Sequence, residues 1–171
     1  NYSNEHVEES IDIITGTKDM PFEQMLDASI FSWFQNTFHI NGISTLLSRL
    51  VRKYCDIPYS EFYTDLFEHM QGHEWLKSEQ DQVRQYYYNW MTNGRINHPN
   101  IGIEIHGWNL IHRTVLNIHM ERQYNSVFDM LEQFMSRYNL PADLLADAMR
   151  FQRRYFVAYD AMNTYPEDLT L

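Results

Sequence analysis

The chain has 171 residues and a formal charge of −10, from 13 Lys and Arg against 23 Asp and Glu. That length suits one domain able to bury its own core, and the charge argues against a general nucleic-acid binder, whose phosphate contacts need a cationic surface. One cysteine, Cys55, excludes an intrachain disulfide and a four-cysteine zinc site.

No apolar run approaches the ~20 residues of a membrane span. No charged-then-apolar leader opens the chain, and a lone thiol suits a reducing compartment, so a cytoplasmic location is expected. Aromatic residues make up 15% of the chain, against only 6 Gly and 5 Pro. Few breakers and many large rings predict helices packed through bulky contacts. The basic residues are ten Arg and three Lys, a bias toward fixed, directional contacts.

In chain order, residues 1–6 are polar, and 6–17 (HVEESIDIITGT) read as a short strand or extended entry segment. A lone strand needs a partner, which is expected outside this chain. Helical spacing starts at Pro21 and runs through Met25, Ile30, Trp33, Phe34 and Phe38, with Asp19 as the expected cap. Asn41-Gly42 punctuates it. A second stripe runs from Ile43 to Tyr54 and stops at Asp56-Ile57-Pro58. A third, with Ser60 as expected cap, uses Phe62, Tyr63, Leu66 and Met70.

Gly72 breaks the pattern, and a fourth helix is predicted over 74–92. Its polar middle, KSEQDQ, is expected to project into water. Residues 95–106 read as irregular, with a strand-like IGIEI. The stripe from Trp108 to Tyr138 fits one helix of about 30 residues or two meeting near Asn125-Ser126. Asn139-Leu140-Pro141 closes it, and a last helix is predicted from Ala142 to Asp160. The expected fold is therefore one all-α domain, an irregular bundle of six or seven helices behind an extended segment at 1–20.

No catalytic signature is present. Neither GxSxG, GxxxxGK[ST] nor GxGxxG occurs. His69 and His73 are four apart, but Gly72 lies between them and HExxH is absent, so solvated histidines at a helix end are the simpler reading. His112 and His119 share a helical face without a Glu-x-x-His partner, which favours core or contact histidines over a di-iron site. Cys55 follows a basic stretch but has no neighbouring His in sequence, and is read as structural. The densest feature is FSWFQNTFHI at 31–40. Its rings are most simply core; if one face of this helix lines a pocket, His39 or Gln35 supplies the polar group. Arg150, Arg153 and Arg154 form either a solvated face or a surface docked on an acidic neighbour, and docking is favoured in so acidic a chain.

Residues 14–51, together with 119–138 and 144–166, resemble the region that follows the catalytic barrel in cobalamin-binding radical S-adenosylmethionine enzymes. In that family an extended segment with a Thr leads into an acidic-aromatic helix ending near a Phe-His pair, here Phe38-His39. A later helix carries a Phe/Tyr-Gln pair and then a Tyr-Pro, here Phe151-Gln152 and Tyr165-Pro166. The family's CxxxCxxC iron–sulfur loop and Gly-rich cobalamin domain are absent from this chain. The resemblance thus implies a C-terminal portion of a longer protein that covers the barrel and shapes the substrate pocket. It implies no cofactor in this chain; the iron–sulfur cluster, S-adenosylmethionine and cobalamin belong to the parent enzyme. The implied partner is the upstream barrel of the same polypeptide, with Trp33, His39 and Arg154 as barrel- or pocket-facing residues. Aromatics left exposed by a missing domain could also pair two copies, and the alternative is a free-standing helical interaction domain with an aromatic groove.

Overall fold

A computed structural model describes residues 14–93, 108–120 and 122–160. It contains seven α-helices: α1 (Phe22–Gln35), α2 (Thr45–Cys55), α3 (Tyr59–Met70), α4 (Glu74–Asn93), α5 (Trp108–Met120), α6 (Tyr124–Met135) and α7 (Ala142–Asp160). No strand occurs among the described residues, and the fold is an all-α irregular bundle. The strand-like stretches predicted at 6–13 and in 95–106 lie outside the described residues, as does Tyr165-Pro166. Residues 14–20 form no strand; Thr17 and Met20 close a turn through two hydrogen bonds, of 2.8 and 3.0 Å.

One core joins all seven helices, centred on Trp33, Phe34, Phe38, Phe62, Phe128 and Phe134. The aromatic excess is spent here: Phe34 meets Phe38, Tyr63 and Phe67, and Phe62 meets Phe134 edge-on at 5.3 Å between ring centres. Such tilted and edge-on contacts add ~0.5–1.5 kcal/mol per pair beyond burial.

Three sequence expectations need correction. Pro21 and Pro58, rather than Asp19 and Ser60, precede the first turns of α1 and α3, and neither turn has a side-chain cap. Proline there fixes φ near the helical value and sacrifices only a donor that has no intrahelical partner. The long stripe is two helices, parted at Arg122, whose φ is +57°, and not at Asn125-Ser126. The polar middle of α4 does not simply face water, because Glu79 is 2% exposed.

The Glu79 carboxylate stands at the centre of a buried polar network. It pairs with Arg113 at 3.2 Å, and the Thr114 hydroxyl and Asn117 amide lie 3.1 and 3.3 Å from its oxygens. Arg113 also donates to Gln82 at 2.6 Å. The indole N–H of Trp33 donates to Thr114 Oγ1 at 3.2 Å, tying α1 to the network. Satisfying each polar group is what makes burial of this ion pair tolerable.

Candidate functional site

The end of α1 is not a regular helix. Asn36, Thr37 and Asn41 each bond back to the main chain, at Ser32, Trp33 and Asn36, by 2.7–2.9 Å. These local bonds compete with the α-helical ladder, and the chain takes one wide π-helical turn over Asn36–Ile40. Asn41 N–H then closes the turn on Asn36 O at 3.1 Å. Gly42 follows with φ +80°, a conformation that favours glycine, and sends the chain into α2. The turn keeps Phe38 in the core while His39 is half-buried and Ile40 is 65% exposed.

Two grooves meet at this turn. The first, about 490 Å³, lies between the turn and the start of α3, where Gln35, His39, Arg49, Tyr59, Ser60 and Tyr63 line it. The second, about 400 Å³, runs between α2 and α7 over Leu46, Arg49, Phe151 and Tyr155. His39, Ile40 and Arg49 line both. Around them Phe151 is 59% exposed, Tyr155 55% and Tyr59 44%, so large rings stand open beside the grooves. Among the described residues no carboxylate lines either groove.

The hydrogen bonds behind His39 have a defined direction. Ser44 Oγ donates to Phe38 O at 3.1 Å and Ser48 Oγ donates to Thr45 O at 2.9 Å. Both serine oxygens are thereby left as acceptors, and Tyr63 Oη donates to Ser48 at 3.2 Å. His39 Nδ1 lies 2.7 Å from Tyr63 Oη. With the tyrosine proton directed to serine, Nδ1–H is the donor, and Nε2 of the neutral ring keeps its lone pair. Burial, and then the Arg49 guanidinium, lower the His39 pKa from its ordinary 6.5. Burial raises that of Tyr63, against the opposing serine hydrogen bonds.

Behind the second groove, the buried Gln152 amide clamps the chain that follows the turn. Its Nε2 donates to Gly42 O, and its Oε1 accepts from Leu46 N at 2.9 Å. Phe151-Gln152 is thus tied to the stretch just after Phe38-His39, the two pairs being 113 positions apart in numbering.

Of the three residues singled out from the sequence, only His39 lies in these grooves. Trp33 is fully enclosed in the core, its indole committed to Thr114, and presents nothing to another domain in this arrangement. Arg154 is exposed on α7 and lines neither groove. Gln35, the alternative polar group of the aromatic stripe, also lines the first groove. Within the arginine cluster, Arg153 finds its acidic neighbours inside the chain, Asp129 at 2.7 Å and Glu132 at 3.8 Å on α6. Arg150 pairs with Asp147 at 2.9 Å along its own helix. Tyr63 was legible only as a member of a helical stripe, and nothing in the sequence marked Arg49 or Tyr59, because what unites the three is the crossing of α2 and α3 beside the turn.

A third hollow, of about 270 Å³, is lined by His69, His73 and Asp129. His69 contacts Arg137 at 3.4 Å, and His73 Nδ1 accepts from Leu76 N at 3.3 Å. Among the described residues no three His, Cys, Asp or Glu side chains converge as a metal site. The side chains of His112 and His119 lie outside the described set. Also among the described residues, no helix is long and apolar enough to cross a membrane.

No family model, curated protein or solved structure matches this chain.

Proposed function

We propose that this chain is an accessory helical domain of a larger enzyme, docked on its catalytic body through the face that carries the two grooves. The sequence resemblance specifies that enzyme as a cobalamin-dependent radical S-adenosylmethionine enzyme. The domain covers the barrel mouth, shapes the substrate pocket and excludes water from reactive intermediates. It carries no catalytic group of its own; cluster, S-adenosylmethionine and cobalamin sit in the parent. The observation that supports this reading is the Gln152 clamp, which bonds Gly42 O and Leu46 N and so joins the two family-like stretches just beyond the Phe38-His39 pair. Beside that clamp lie the open rings of Phe151 and Tyr155, the kind of surface another domain covers.

The test is the native coding sequence together with its product. An upstream CxxxCxxC loop, and a full-length protein that assembles an iron–sulfur chromophore, are expected. The 171-residue chain alone is expected to bind neither S-adenosylmethionine nor a cluster. A gene that starts at Asn1 and makes a self-contained product overturns this reading. The second reading, a free-standing interaction domain, then takes its place, and the same exposed aromatic grooves favour it.

A further inference from the structure

We propose that the joined grooves form a binding site for an oxyanion, a carboxylate or phosphate ester carrying a flat apolar group, with Arg49 as its charge partner and His39 as a proton-coupled donor. This stands on the grooves' own chemistry in the chain as described.

Three observations carry it. The first is charge. The chain is at −10, yet among the described residues no carboxylate lines either groove, and Arg49 stands where they meet. Arg52, Arg84, Arg113, Arg150 and Arg153 each hold a carboxylate within 3.3 Å. Arg49 pairs with none among the described residues. An exposed guanidinium beside a cavity is a ready partner for an oxyanion, which it can hold by two parallel hydrogen bonds.

The second is direction. With Tyr63 donating to Ser48 and Ser48 to Thr45 O, the His39–Tyr63 contact is made by Nδ1–H. Nε2 remains as the ring's other hydrogen-bonding atom. An anion brought to Arg49 offsets the guanidinium field and offers Nε2 an acceptor once that nitrogen is protonated. Binding therefore draws a proton onto His39, whose charge is disfavoured while the site is empty. Among the described residues the groups facing the ring across the grooves are Arg49 from α2, Tyr59 and Tyr63 from α3, and Tyr155 from α7. None is a carboxylate that could supply the same charge from within.

The third is the apolar wall. Ile40, Phe151 and Tyr155 stay open beside the charged centre, and Phe151 and Tyr155 stack with ring planes 12° apart. A flat ring on the ligand can lie against this pair while its oxyanion reaches Arg49.

The experiment titrates the full chain with phenyl phosphate, benzoate and neutral benzamide, following the Arg49 and His39 resonances by NMR. Both anions are expected to bind at millimolar concentrations and benzamide to bind far more weakly. Arg49→Gln, an exposed change that leaves the core untouched, is expected to weaken binding roughly tenfold or more. Benzoate stays ionised from pH 5.5 to 8, and its affinity is expected to rise as pH falls; His39→Gln is expected to flatten that slope. If neither anion shifts these resonances, or if Arg49→Gln binds as well as the parent, the site is overturned. Binding that needs Arg49 but is flat in pH overturns the role given to His39.

Discussion

Two residue-scale arrangements make stability predictions. The Glu79–Arg113 pair is nearly inaccessible and is held by Thr114, Asn117 and Gln82. Arg113→Met leaves the Glu79 carboxylate buried without this cation, and breaking such a pair costs ~3–5 kcal/mol. Glu79→Leu combined with Arg113→Met is expected to recover much of that loss, because the desolvated charges go together. Urea unfolding of the three variants checks this; a single-variant loss below ~1 kcal/mol contradicts it. His39 and His69 supply the pH dependence. Burial, and then Arg49 or Arg137, lower both pKa values from 6.5. In the acid range the unfolded chain therefore binds more protons at these sites than the folded one. Their contribution is whole above pH 6.5 and is lost as pH falls through the lowered folded values. Unfolding free energy is expected to drop between pH 7.5 and 5, and the double variant His39→Gln, His69→Gln is expected to reduce that drop.

At the scale of elements, the junction of α1, α2 and α7 depends on Gln152 and Gly42. Gln152→Leu keeps the bulk but leaves Gly42 O and Leu46 N without their side-chain partner, at a cost of ~1–3 kcal/mol. Gly42→Ala is expected to cost ~1–2 kcal/mol, the penalty of a left-handed backbone for a residue with a Cβ. Its new Cβ would stand 2.5 Å from Tyr155 Cε1, but that ring is half-exposed and can swing away. Tyr155→Ala in the Gly42→Ala background is thus expected to restore little, and thermal melts of the pair separate backbone strain from crowding. The same reasoning explains which element boundaries were readable. Gly72, Pro141 and the 3.6-residue stripes act locally, so α4 and α7 begin and end close to expectation. The π-helical turn arises from three side chains bonding back to different carbonyls, and apolar spacing carries no trace of that competition.

For the whole molecule, a single core fed by every helix predicts cooperative unfolding. Trp33 sits at its centre, so tryptophan fluorescence and far-UV circular dichroism are expected to trace coincident denaturant transitions. Two separated transitions would show that part of the bundle is an independent unit. The grooves are likewise a property of the whole: α1, α2, α3 and α7 each supply part of their walls.

The sequence by itself determined the helical class, the order of the elements and most of the core, because burial periodicity and breaker residues act over a few positions. It also singled out His39, through the abrupt polar end of an aromatic stripe. Only the tertiary structure decided that Trp33 is interior, that Glu79 is buried with a cation, and that Arg49 stands beside His39 with no carboxylate partner among the described residues. Those facts depend on which helices cross, and a side chain's electrostatic surroundings are set by neighbours distant in sequence.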